Sequence, residues 1–96
     1  MIKHIVLFKF KDTKKENFMK EIKQDLENLV NTIEELKEME VGLNFLEDNS
    51  MPDLVLTSTF ENREGLEVYR THPEHVKVVE KIKPMATDRS VVDYEV

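Results

Sequence analysis

Three histidines and one tyrosine are the side chains of this 96-residue sequence best suited to moving a proton. His72 and His75 fall with Tyr69 in the segment Tyr69-Arg70-Thr71-His72-Pro73-Glu74-His75, and His4 stands near the start. Imidazole titrates near neutrality, and a phenol can donate to a substrate oxygen. A Tyr–His pair within hydrogen-bond reach of a substrate can therefore serve as acid and base. Tyr69 and His75 are the expected chemical pair. Plainer readings stand beside this one. His4 could be a strand histidine satisfied by a backbone carbonyl, and His72 could close a helix, where cationic side chains suit the macrodipole. Three histidines also raise the question of a metal, but their spacing matches no zinc motif and no carboxylate converges on them. No metal is expected.

The elements that must position these residues can be read from periodicity. Residues 2–11 alternate, with Ile2, His4, Val6, Phe8 and Phe10 on one face and Ile5 and Leu7 in the middle of the other. Period two with β-branched and aromatic residues predicts a strand, and apolar residues on both faces predict that both are covered. Thr13-Lys14-Lys15-Glu16 fits a capping box, after which Phe18, Ile22, Leu26, Leu29, Val30, Ile33 and Leu36 predict a helix over about 14–37. A strand follows at about 39–46, where Gly42 allows a bulge or a close approach, and a second at 54–61. Asn62 caps a short helix over about 63–71, and Pro73 breaks it and can start the next, since proline is tolerated in a first turn; His75 to Lys83 carries that helix's apolar spacing. Residues 89–96 form the last strand.

The order β-α-β-β-α-β, with its second helix split, predicts a ferredoxin-like α+β domain with a four-stranded antiparallel sheet. Its helix side should gather Tyr69 and His75 over a pocket of His4, Val6, Phe8, Leu56 and His72. Its other side should expose Ile5, Leu7, Val55 and Val91. A monomer rarely tolerates such a patch, so a second copy is expected to cover it as a homodimer.

Composition narrows the partners. A chain of this length makes one domain, here 1–96, with a modest core. A formal net charge of −6 disfavours nucleic acid, and the absence of cysteine excludes disulfides and thiolate chemistry, a pattern compatible with the cytoplasm. Lys3 and Lys9 interrupt the N-terminal segment, and no apolar run approaches the roughly 20 residues of a membrane span. Neither a signal peptide nor membrane association is expected. Beside the second copy, a hydrophobic or aromatic small molecule is an expected partner.

Several stretches carry a resemblance in order along the chain: Lys3-His4-Ile5-Val6-Leu7-Phe8-Lys9-Phe10-Lys11-Asp12, Gly42, Thr59-Phe60-Glu61, Tyr69 to Val76, and Val92-Asp93-Tyr94. Together they are similar to the stress-responsive A/B barrel (Dabb) family, which implies a dimeric α+β barrel. That family includes plant stress-associated proteins, bacterial members without a defined role, and olivetolic acid cyclase, which closes a linear polyketide without a metal. Resemblance to the cyclase implies His75 as general base, Tyr69 holding substrate and His4 shaping the pocket. This chain has Leu26, Leu54 and Ala86 where that resemblance places other aromatic or polar residues. Some plant relatives imply a magnesium ion near the end of the long helix, at a stretch similar to Leu29-Val30-Asn31-Thr32-Ile33. Three functions are therefore expected to compete: a small-molecule-binding protein of undefined substrate, a cofactor-independent cyclase or lyase, and a monooxygenase-like barrel. For the last, His75 or His72 could in principle meet a haem, though nothing singles out such a ligand.

Overall fold

Alternation over the first ten residues makes β1 (Ile2–Phe10) the strand on which the rest is built. The computed structural model describes residues 1–12, 15–46, 48 and 50–96. β1 is flanked by β3 (Leu54–Phe60) and β4 (Ala86–Glu95), and β2 (Glu38–Leu43) pairs with the far edge of β3. All pairings are antiparallel, giving the order β2-β3-β1-β4. Helices α1 (Lys15–Asn28), α2 (Arg63–Thr71) and α3 (Pro73–Ile82) complete a ferredoxin-like α+β domain.

Strand alternation decides which face the helices cover. Ile2, His4, Val6, Phe8 and Phe10 are buried, and they share one core with Ile22 and Leu26 of α1, Leu66 and Tyr69 of α2, and Val78 and Ile82 of α3. The opposite face keeps apolar side chains in the open: Leu7 is 37% exposed, Tyr94 44% and Val92 59%. Ile5 and Val55 lie half-buried among them. Gly42 pairs with Val55 in unbroken register, and a Cβ there would lie 3.2 Å from Val55 Cγ1. Glycine at this position gives the valine room on that face.

Two expectations need correction. Val91 does not belong to the open face: it pairs with Val6, whereas Val92 pairs with Ile5. Directly paired residues share a face, so Val91 lies on the helix side and Val92 takes the predicted place. The long helix also ends early, at Asn28, and continues only as a 3₁₀ turn over Leu29–Asn31. Ile33 and Leu36 are nevertheless buried, held by turns in which Thr32 N–H donates to the Leu29 carbonyl and Leu36 N–H to that of Ile33. Irregular backbone has thus kept the burial spacing of a helix. Asn31 and Thr32, both weak helix formers, fall where the helix gives out. Smaller shifts occur elsewhere: β2 stops at Leu43 and β4 starts at Ala86, while α3 does start at Pro73. Thr13 and Lys14, half of the expected capping box, lie outside the described residues.

One buried carboxylate ties the core's rim together. Asp53 N–H donates to the Phe8 carbonyl at 2.8 Å, and its side chain accepts from Phe10 N–H at 2.8 Å and from Lys15 Nζ at 3.1 Å. Burial pushes the Asp53 carboxyl upward, but these donors prevail and hold it below its ordinary value. A depressed carboxylate stabilises the fold above its unfolded pKa, and that contribution is lost as pH falls through the folded value. Asp53→Ala leaves a buried N–H without an acceptor. It is expected to cost about 1–3 kcal/mol in urea unfolding at pH 7, with a smaller difference from the parent in acid.

Candidate functional site

Proline sets the site's geometry. Pro73 disfavours helical backbone at the residue before it, and His72 is extended, with φ −63° and ψ 132°. The chain therefore turns between α2 and α3. Tyr69, in the last turn of α2, and His75, in the first turn of α3, come together with ring centroids 4.1 Å apart and planes tilted by 32°. Tyr69 also packs on Phe60 at 5.1 Å and stands edge-on to His4 at 6.2 Å.

Beneath this break lies a cleft of about 690 Å³ between the sheet and the helices. Its floor is His4, Val6, Phe8, Leu56, Ala86, Arg89, Val91 and Asp93 from the strands. Its roof includes Tyr69, His75, Val76, Val79 and Ile82, with Leu26 at one wall and Arg70, Glu80 and Lys83 among the charged residues. The size and the mainly apolar lining with a few converging polar groups suit a small-molecule site. A second hollow, of about 630 Å³, lies by β2 and is lined largely by charged side chains such as Lys3, Glu27, Lys37 and Glu38. It contains no buried polar atom lacking a partner.

One residue of the cleft lining carries such an atom. The Tyr69 hydroxyl is buried without any hydrogen-bond partner, and the residue is 1% exposed. Burial pushes its phenol well above the ordinary value of 10.0, so the hydroxyl keeps its proton and is a donor without an acceptor. His75 has the opposite disposition. Burial lowers its pKa, and the charges of His4, Arg89 and His72 act the same way, against a raising bond to the Arg70 carbonyl. That carbonyl can only accept, so Nδ1 of His75 carries the hydrogen of the 3.2 Å contact and Nε2 of the neutral ring is left as an acceptor. A held proton and a free base thus sit side by side, in ring contact rather than hydrogen-bonded to each other.

His4 and His72 part ways. His4 is buried in the cleft floor, and its Nδ1 meets the Asp93 carboxylate, not the backbone carbonyl of the plainer reading. His72, expected in the pocket, is not among the cleft residues. Its Nδ1 accepts from Glu74 N–H at 3.1 Å, capping α3. A neutral imidazole acceptor satisfies one orphan donor of that helix, which explains its position. Of the positions flagged by departure from the cyclase, Leu26 and Ala86 line the cleft and Leu54 does not. Asp93 and Arg89 are the residues that sequence reasoning missed. Both lie an even number of residues from Val91, and pairing with His4 and Phe8 across the sheet places them on the helix side.

No group of three or more His, Asp or Glu side chains gathers as a metal site among the described residues. The stretch from Leu29 to Ile33 fits magnesium poorly. The Leu29 carbonyl already accepts from two N–H groups, and no carboxylate lies within the stretch.

His75 yields a pH prediction. Its folded pKa is depressed, so its contribution to stability is complete above the unfolded value of 6.5 and is lost as pH falls through the folded one. The melting temperature is expected to fall between pH 7.5 and 5.5 (about a unit either side of the imidazole pKa), and less steeply in His75→Gln. Equal slopes in the two proteins would contradict the assignment.

A helix-covered antiparallel sheet with an amphipathic cleft at its helix break defines a ferredoxin-like α+β protein. The chain belongs to the stress responsive A/B barrel domain family, whose model matches residues 2–96. It is 37% identical over 82 residues to the stress-response A/B barrel domain-containing protein At5g22580 of Arabidopsis thaliana, covering 78% of this chain and 68% of that one. Among solved structures it resembles a dimeric protein of ferredoxin-like fold from Bacteroides fragilis. That match has a TM-score of 0.87 and 35% identity, covering 99% of this chain and 95% of the other. A hydroxynitrile lyase from Passiflora edulis shares the fold at TM-score 0.86 and 20% identity, over 99% and 92% of the two chains. No helix is long and apolar enough to cross a membrane among the described residues.

Proposed function

We propose that this protein is a homodimeric small-molecule-binding member of its family, with the ligand held in the cleft beneath the α2–α3 break. The observation that carries this reading is the Tyr69 hydroxyl. A buried donor without an acceptor costs free energy unless something supplies one. In a cleft wall of apolar side chains, that acceptor is the oxygen of a ligand with an apolar body. The dimer is supported by the exposed apolar stripe of Ile5, Leu7, Val55, Val92 and Tyr94, and by the Bacteroides fragilis neighbour's description as dimeric. Two copies packed through this stripe would shield it and leave the helix-side clefts on opposite flanks.

The test is saturable binding of anilinonaphthalene sulfonate, an amphipathic fluorescent probe. One site per protomer is expected, and Val91→Trp should block it while preserving the fold. A protein that binds no probe, or a Val91→Trp variant that binds as well as the parent, contradicts the reading.

A catalytic use of the same cleft has one observation in its favour, the packing of a phenol that retains its proton against a neutral imidazole with a free Nε2. Such a site could protonate one atom of a bound carbonyl compound and deprotonate another. Turnover of a carbonyl substrate that is lost in a folded His75→Gln variant would establish this use. Unchanged turnover in that variant would exclude it.

A further inference from the structure

The cleft has an unmatched cation as well as an unmatched donor. Of the three arginines, Arg63 pairs with Glu95 at 3.5 Å and Arg70 with Glu67 at 3.4 Å. Arg89 has neither an ion-pair nor a hydrogen-bond partner among the described residues, yet it lines the cleft. The carboxylates there have partners, Asp93 at the His4 ring and Glu80 at Lys83. Arg89 is the charged group of the cleft that no side chain meets among the described residues.

Strand register sets where that charge lies. Along the cleft floor His4 pairs with Asp93, Val6 with Val91, and Phe8 with Arg89. The rows therefore run polar, apolar, cationic. Asp93 and Arg89 are four residues apart, which spans roughly 13 Å of strand. Tyr69 stands at the polar end, edge-on to His4.

We propose that the ligand is an apolar-chain monocarboxylic acid with a second oxygen, hydroxyl or carbonyl, at its far end. The carboxylate meets Arg89, the chain lies over Val6 and Val91, and the far oxygen accepts from Tyr69. This rests on the ligand-binding reading of the cleft. The guanidinium fork matches a planar carboxylate and stays charged at any working pH. A monoanion suits the site better than a phosphate dianion, because the Asp93 and Glu80 carboxylates repel the second negative charge.

Three probes of similar length separate the two ends: ω-hydroxydecanoate, α,ω-decanediol, which lacks the carboxylate, and decanoate, which lacks the far hydroxyl. Calorimetric titration of the whole protein is expected to rank the hydroxy acid about tenfold above the diol and about fivefold above decanoate. Arg89→Gln should remove the first advantage. Arg89 is exposed, so this change disturbs no core packing. Tyr69→Phe should remove the second. A diol that binds as tightly as the hydroxy acid overturns the inference and leaves the cleft reading standing, as does an Arg89→Gln variant with unchanged affinity for the acid. Failure of all three probes to bind the unmodified protein overturns both.

Discussion

A Val92→Asp variant is expected to sediment as a folded monomer of 11.4 kDa under conditions where the parent protein is a dimer. Val92 is 59% exposed on the open face, on the edge strand β4, where it pairs with Ile5 beside Leu7 and Tyr94. In the lone chain an aspartate there stays in water and costs the fold little. In the dimer it would be taken out of water with no cation placed to meet it, and an unpaired buried charge is strongly unfavourable. Weakening by at least a hundredfold, about 3 kcal/mol, is the expected effect. Val68 provides the control. It is 43% exposed on α2, and Val68→Asp should leave association unchanged. Equal weakening by both variants, or by neither, would separate the apolar stripe from self-association.

Tyr69→Phe should move stability and binding in opposite directions. The ring's contacts with Phe60, His75 and His4 survive the change, and only the unpartnered hydroxyl is lost. The ligand-free protein should be as stable as the parent, or more stable by about 1 kcal/mol, because no satisfied hydrogen bond is broken. Affinity for an oxygen-bearing ligand should fall about fivefold or more. A tyrosine retained for structure behaves differently, since removing its hydroxyl would destabilise the protein and leave binding alone. Tyr69→Ala cannot make this distinction. Emptying so buried a site costs about 3–5 kcal/mol by itself, comparable with the whole stability of a small domain. Chemical denaturation and titration on the same preparation read both signs.

The fold was legible where period and burial coincide. Alternation in β1 placed His4, Val6 and Phe8 on the helix side, and Asn62 and Pro73 marked the start and end of the α2 segment. It was less legible where burial continues without regular backbone. Ile33 and Leu36 keep a helix-like spacing through turns, because spacing records which residues are inside and not which hydrogen bonds hold them. The open face slipped by one residue on β4. An edge strand with only two partly buried residues gives parity little to act on, and one position changes the face.

Of the site, the meeting of Tyr69 and His75 could be anticipated from the helix break. His72 misled because its ring serves the cap of α3, a use its sequence context shares with a pocket role. Asp93 and Arg89 depend on long-range pairing with His4 and Phe8 across the sheet, which no local pattern announces.

The cleft under the helix break is proposed to hold its ligand through the Tyr69 hydroxyl. The most direct test is a crystal soaked with a mixed set of small organic fragments that carry hydroxyl, carbonyl or carboxylate groups. The expected density lies in the cleft, with a fragment oxygen about 3 Å from Tyr69 Oη. An empty or side-chain-filled cleft, with fragments settling elsewhere on the surface, would contradict the claim.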